Sequence, residues 1–285
     1  MRIITNPQVF QKTMEALREK GKQIGFVPTM GALHHGHLEL MRRSKQENDV
    51  TAVSIFVNPT QFGPKEDFRR YPRPAARDQK LLIQAEVDFL LMPSVAAMYP
   101  AGTALFVDLN SEQDGLTQRY CGQTRPGHFR GVLTVCAKLF NIARPHRVYM
   151  GAKDYQQTVV IDRLIRELHL GIKMVRVPTV RESDGLALSS RNIYLSPADR
   201  RRARALSQTL QELQGELQRG KRNLKALLQD ARRKLAHSVD KLDYLEAADP
   251  VTLEPLAKPQ KHMVLLTACT VGKTRLIDNV IINLP

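Results

Sequence analysis

The stretch Ile24-Gly25-Phe26-Val27-Pro28-Thr29-Met30-Gly31-Ala32-Leu33-His34-His35-Gly36-His37 decides how this chain is read. An apolar run, Ile24 to Val27, precedes the loop, and an amphipathic run, Leu38 to Ser44, follows it. The order is strand, tight glycine-bearing loop, helix. A helix start offers backbone N–H groups and a partial positive charge, which makes it a seat for phosphate. Gly31 and Gly36 are expected to let a phosphate approach the backbone. His34 and His37 are three residues apart and share a helix face. Two imidazoles beside a phosphate seat point to stabilisation of charge on a reacting phosphoryl group. A single histidine at a helix start is usually a cap or a surface residue. The pair with its glycines after a strand carries the chemical reading. Zinc would want a third ligand, and no Cys or Asp lies close by in the sequence.

Moving outward, Asn6-Pro7 opens a first helix that Gly21 closes. Val50 to Val57 is almost wholly apolar and β-branched, the pattern of a strand covered on both faces. It ends in Asn58-Pro59-Thr60-Gln61-Phe62. Ligands of open α/β sheets sit beyond the carboxyl ends of strands, so Asn58 and Gln61 are expected to read a small polar substrate. Pro74 to Ala85 reads as a helix, Val87 to Met92 as a strand, and Val132 to Phe140 as a helix of regular apolar spacing. Arg147 to Met150 is a short strand that runs into Gly151-Ala152-Lys153-Asp154-Tyr155-Gln156-Gln157, repeating the opening order of strand, glycine and helix start. Lys153 can meet a phosphate as a point charge, and Asp154 is placed for ribose hydroxyls or a metal. A helix over 155–169 and a strand over 172–177 follow.

Five apolar strands alternating with helices predict a doubly wound, parallel α/β domain over residues 1–176. Residues 177–285 read as a smaller α+β domain, with helices from Ser196 and Asn223 and strand-like runs at 242–247, 263–269 and 275–282. Between the two, Arg181 to Asn192 is polar and lacks a long apolar period, and it reads as a hinge or mobile loop. Its Ser189-Ser190-Arg191 triplet offers hydroxyls and a guanidinium for phosphate. Val271-Gly272-Lys273-Thr274 is not a P-loop, because Thr267 stands where the first glycine is required.

The formal charge of +15 favours acidic partners such as nucleotides and anionic metabolites. A nucleic-acid binder would cluster its basic residues among aromatics. Here the cations are dispersed, Trp is absent and aromatics make up only 6% of the chain, so nucleic acid is not expected. Three cysteines with no C-x-x-C pair fit a reducing cytoplasm. No stretch approaches a membrane span, and the first twenty residues lack the apolar run of a signal peptide.

Taken together, the segments 28–37, 53–62, 125–131, 151–157, 184–192 and 275–279 resemble the pantothenate synthetase (pantoate–β-alanine ligase) family of the HxGH nucleotidyltransferase superfamily. The resemblance covers essentially the whole chain. One departure is Ala152, where the family commonly carries a polar residue. The resemblance implies a Rossmann-like N-terminal domain, a smaller C-terminal lid that includes the 181–192 segment, and a homodimer. It implies condensation of (R)-pantoate with β-alanine at the expense of ATP, through a pantoyl adenylate, with Mg²⁺ assisting. It implies catalytic roles for His34, His37, Lys153, Ser189, Ser190 and Arg191. Around ATP it implies Met30, Gly31, Ala32, Leu33, His34, His35, Gly36, His37, Gly151, Ala152, Lys153, Asp154, Val180, Leu188, Ser189, Ser190 and Arg191. It implies Gln61 and Gln157 on pantoate, with Gln61 also near β-alanine; metal ligands are left unassigned. A nucleotidyltransferase acting on a phosphorylated alcohol is the competing enzyme reading. Such a substrate would want cations where Gln61 and Gln157 stand.

Overall fold

The computed structural model describes every residue except Lys65, Ser111, Glu112, Asp114 and Pro285. By contact density the chain falls into two compact units. The first takes Met1–Leu109, Arg125–Ala152 and Val160–Pro178, and the second takes Asn110–Thr124, Lys153–Val159 and Thr179–Pro285.

The first unit is built on six parallel strands: β1 (Arg2–Ile4), β2 (Ile24–Thr29), β3 (Val50–Ile55), β4 (Phe89–Leu91), β5 (Arg147–Gly151) and β6 (Lys173–Val177). Their order is β1-β4-β3-β2-β5-β6. Helices α1 (Pro7–Glu19), α2 (His35–Glu47), α3 (Ala75–Gln84) and α4 (His128–Ala143) connect them. Helix α5 (Tyr155–Glu167) links β5 to β6. This is the doubly wound parallel sheet, with one strand more than the sequence pattern gives. The extra strand, β1, is three residues of a sheet edge, too short for a period to register. Asn6 caps α1 by accepting from the N–H of Gln8 (2.9 Å) and Val9 (3.1 Å), as its position before a proline predicts. The core beside α2 and α3 gathers Val27, Leu33, Met41, Val53, Leu82, Leu90 and Tyr149, all fully or nearly buried.

From β2 the chain winds through β3 towards β4, then returns to β5 on the other side of β2. The switch point of the sheet therefore lies between β2 and β5. Pairing there covers only Gly25 with Arg147 and Phe26 with Val148. Pro28, which has no N–H to give, lies beyond the paired stretch. The carboxyl ends of β2 and β5 thus part at the place where α/β sheets take their ligands.

The second unit carries a three-stranded antiparallel sheet, β7 (Lys241–Ala248), β8 (His262–Val271) and β9 (Thr274–Asn283), in that order. Helices α6 (Pro197–Ala203), α7 (Ala205–Gln218) and α8 (Leu224–Ala236) belong to it. Leu210, Leu213, Leu217, Leu228, Leu245, Met263, Leu265 and Ile282 form a core between α7, α8 and the sheet. The sequence reading divides the chain once, after residue 176. Two earlier segments also cluster with the second unit, and their hydrogen bonds give the reason. The Gln156 amide donates to the carbonyls of Leu116 and Arg119 and accepts from the Cys121 N–H, while Tyr155 Oη donates to Pro250 O (2.9 Å). Among the described residues no helix is long and apolar enough to cross a membrane.

His146 and Ile24 exchange two bonds: His146 N–H donates to Ile24 O (2.9 Å), and Ile24 N–H donates to His146 Nδ1 (3.0 Å). Burial first, then the cations Arg18 and Arg147, push the His146 imidazole below its ordinary value of 6.5. The unfolded chain therefore takes up the proton more readily, and folding stability falls as pH drops below about 6.5. His146→Asn keeps an acceptor for Ile24 but cannot titrate. Thermal melts at pH 5.5 and 7.5 should show a smaller difference between the two conditions in this variant than in the parent.

Candidate active site

At the carboxyl end of β2 the loop is tied down on several sides. Thr29 Oγ1 donates to Ser54 O (2.8 Å) and accepts from Gly31 N–H (3.1 Å). Gly31 and Ala32 both take left-handed backbone, at φ of 81° and 52°. Their turn aims the next two N–H groups at the carboxylate of Asp78 on α3. Ala32 N–H donates to Oδ2 (2.8 Å) and Leu33 N–H to Oδ1 (2.9 Å). A Cβ on Gly31 would sit 3.0 Å from Asp78 Oδ2 and 3.0 Å from Ile55. This glycine therefore makes room for a carboxylate of the chain itself, not for the phosphate the sequence reading assigns to it. Leu33 buries its side chain in the core.

His34 is the N-cap of α2. Its Nδ1 accepts from Gly36 N–H (3.2 Å), and His37 Nδ1 accepts from His34 N–H (3.3 Å), a reciprocal capping box built from two imidazoles. The expectation that Gly36 admits phosphate to the backbone is corrected in the same way, because its N–H is spent on His34. The groups at this helix start with the chemistry to meet an anion are the two imidazoles. An Nδ1 that accepts carries no proton, so each neutral ring holds its proton on Nε2 and is a donor there. The two rings lie with centroids 4.1 Å apart, tilted by 41°, both half-buried. The neighbouring His35 is exposed.

After β3, Asn58 and Gln61 flank a single 3₁₀ turn (Pro59–Gln61). Asn58 is 1% exposed, and its amide is saturated internally. Its Nδ2 donates to Gln61 Oε1 (3.1 Å) and Gly131 O (3.0 Å), and its Oδ1 accepts from Tyr99 Oη (2.8 Å) and Thr60 Oγ1 (3.0 Å). This corrects the sequence expectation: Asn58 faces the protein and orients Gln61. The bond from Asn58 orients the Gln61 amide, and Gln61 Nε2 donates to Met30 Sδ (3.3 Å), which brings the β2 and β3 loops together. The backbone of Gln61 is held from α4. His128 Nδ1 donates to Gln61 O (2.9 Å), and Arg125 Nη1 donates to His128 Nε2 (3.0 Å). Arg125 also forms a bidentate pair with Glu66 (2.9 and 2.5 Å). A side chain at Gly131 would collide with the Thr60 carbonyl, so α4 can approach this turn only through a glycine. Gly151 ends β5 on the other side of the switch point, and Ala152, which opens the 3₁₀ turn that follows, is buried, an environment that suits its small apolar side chain.

In the second unit, Lys153 and Asp154 lie in a 3₁₀ turn ahead of α5, Nζ and Oδ1 3.8 Å apart, and Gln157 is half-buried one turn further on. The Asn279 side chain donates to Lys153 O (2.7 Å). Next to it on β9, the buried Asp278 accepts two bonds from Arg181 (2.7 and 2.9 Å). The 181–192 segment, which the sequence reads as a hinge or mobile loop, carries regular internal contacts. Arg181 and Ala187 form an antiparallel bridge, Leu188 N–H donates to Val180 O (3.0 Å), and Asn192 donates to Glu182 (2.9 Å) and Ala187 O (3.1 Å). Ser189 Oγ accepts from Arg191 N–H (3.2 Å) and caps a 3₁₀ turn (Ser190–Tyr194) that carries Ser190 and Arg191.

The sequence did not single out Asp78, Tyr99 or Glu66, and Asp278 entered only within the 275–279 segment, with no role. Asp78 left one trace, a carboxylate on the apolar stripe of a helix with Leu81 and Leu82 at i+3 and i+4. The imidazole assignment is directly checkable. At neutral pH, nitrogen-15 NMR of His34 and His37 should give pyrrole-type Nε2 and pyridine-type Nδ1 signals. An Nδ1–H tautomer in either ring would contradict it.

Comparison with known proteins adds to this geometry. The sequence model of the family described as pantoate-beta-alanine ligase matches residues 2–281. Proteins named pantothenate synthetase from Thermotoga petrophila and Thermotoga neapolitana are 48% and 50% identical over 284 residues, which is 99% of this chain and 100% of each relative. A crystal structure of pantothenate synthetase from Thermus thermophilus superposes with a TM-score of 0.92 at 43% identity, covering 98% of this chain and 99% of that one. A pantoate-beta-alanine ligase from Francisella tularensis, solved with beta-gamma ATP and beta-alanine, gives 0.82 at 37% identity over 98% and 97%. Matched across nearly its full length by the family's sequence model and by relatives of about half identity, the chain belongs to the pantoate–β-alanine ligase family.

Proposed function

We propose that this chain condenses (R)-pantoate with β-alanine, using ATP and releasing AMP and pyrophosphate through a pantoyl adenylate. The observation that carries the chemistry is the capping box of His34 and His37. It fixes both rings beside the carboxyl end of β2 and, in the neutral form, leaves the proton of each on Nε2.

In the first step a pantoate carboxylate oxygen attacks the α-phosphorus of ATP, and the bond to the bridging oxygen breaks, so that pyrophosphate leaves with the electron pair. Negative charge grows on the phosphoryl oxygens and the leaving group. Donors already fixed by the backbone meet that charge without reorganising, which is the economical form of electrostatic catalysis. His34 and His37 have this role, and His37 can pass a proton to the leaving group. Lys153, Ser189, Ser190 and Arg191 add cationic and hydroxyl contacts to the phosphates. The ATP contacts in this reading include residues 30–37 and 151–154, with Val180 and Leu188. Asp154 fits an Mg²⁺ role: its carboxylate is half-exposed beside Lys153, and Mg²⁺ commonly binds through one or two carboxylates together with substrate phosphates. Bound in this way, the ion would neutralise triphosphate charge.

In the second step the β-alanine amine attacks the acyl carbon, the bond to the AMP oxygen breaks, and the amine gives up a proton. Gln61 and Gln157 hold pantoate. The Gln61 amide, oriented by Asn58, can offer Nε2–H to a carboxylate or hydroxyl oxygen of the acid. Neutral amides here favour a hydroxy acid over a phosphorylated alcohol. The reading includes a homodimer and a cytoplasmic setting, and the three buried thiols, none of them in a disulfide, fit the latter.

The test is AMP release with ATP and pantoate, with and without β-alanine. β-Alanine-dependent AMP is expected, and its absence from a folded preparation would refute the proposal. His37→Ala should slow single-turnover adenylation at least about tenfold. Asn58→Ala frees the Gln61 amide to rotate and should raise KM for pantoate about tenfold, corresponding to about 1.4 kcal/mol, with little change in KM for ATP.

A further inference from the structure

Asp78 lies outside every loop that the reaction uses, yet its carboxylate holds the one that matters most. It is 1% exposed, in the first turn of α3, where the helix's positive end favours an anion. Both oxygens accept successive N–H groups, from Ala32 and Leu33, and the next residue is His34. Two consecutive N–H groups presented by left-handed backbone form a concavity of the kind that binds anions. The chain has filled this one with its own carboxylate.

We propose that Asp78 is a positioning residue for adenylation, an internal anion that fixes the two imidazoles in register with the α-phosphate. Three links connect the carboxylate to the rings. Ala32 is a non-glycine residue at φ 52°, a conformation that persists only when its surroundings hold it. The pair of bonds to Asp78 does so, together with the burial of Leu33. Any relaxation of the loop moves the His34 backbone, and through the capping box it moves His37 as well. The inference rests on the ligase reading above. It adds that the anion nest at this loop is closed to substrate phosphate and serves to aim side chains.

Asp78→Asn keeps the volume but turns a donor towards one of the two N–H groups. Asp78→Ala vacates the nest for an added anion. The measurement is single-turnover pyrophosphate release at saturating ATP and pantoate, corrected for the folded fraction by circular dichroism. Loss of about tenfold is expected for Asp78→Asn and about a hundredfold for Asp78→Ala, the scale of an ångström misplacement of reacting groups. KM for pantoate should stay near the parent value, because Gln61 is held by Asn58 and His128 on other elements. Sodium formate, small enough to enter the vacated nest, should restore at least about threefold of the Asp78→Ala rate, where sodium chloride at equal ionic strength does not. Either folded variant turning over at the parental rate would overturn the proposal, and so would loss that merely tracks the unfolded fraction without formate rescue. An inactive parent chain would instead count against the ligase reading, so the two failures are distinguishable.

Discussion

Two imidazole nitrogens accepting two backbone N–H groups at the start of α2 are the constraint on which this site depends. A helix start needs partners for its N–H groups, and Ser, Thr, Asp or Asn usually supplies them. Here histidine does so, and the substitution has a chemical consequence. Once Nδ1 accepts, the neutral ring has one tautomer, with its donor at Nε2. Local structure and reactivity are thus decided by the same hydrogen bonds. The usual structural role of a histidine at a helix start and its functional role are not alternatives in this protein, because the first produces the second.

The same economy recurs elsewhere. Asn58 spends its whole amide inside the protein and thereby gives Gln61 a defined face. His128, locked between Arg125 and the Gln61 carbonyl, has only one tautomer compatible with both neighbours. In the second unit Asp278 and Asn279, adjacent on β9, hold Arg181 and the Lys153 carbonyl respectively. In each case a buried polar group is satisfied within the chain, and the satisfied group makes its neighbour directional. Breaking such a contact leaves a buried partner unpaired, which costs about 1–3 kcal/mol and also loosens the orientation.

The strand–loop–helix order around His34, the parallel sheet and the small antiparallel sheet were legible in the sequence because each rests on a local period or a local turn. The edge strand at Arg2–Ile4 was not, since three residues carry no period. Phosphate access at Gly31 and Gly36 was misassigned because the competing partners, Asp78 and the His34 ring, emerge only when the chain has folded. Asn58 was legible as a residue of the site but not in its direction, which Tyr99 and Gly131 decide from 41 and 73 residues away. The 181–192 segment lacks apolar periodicity, but its order comes from charge pairs and bridges such as Arg181 with Asp278, which hydropathy patterns do not register.

If a pantoate carboxylate oxygen attacks the α-phosphorus, that oxygen must leave on AMP. Pantoate labelled with oxygen-18 in its carboxylate, turned over with ATP and β-alanine, is the test. AMP carrying one labelled oxygen, read by the isotope shift of its phosphorus-31 signal, is expected. Label in inorganic phosphate with formation of ADP, or unlabelled AMP, would contradict it.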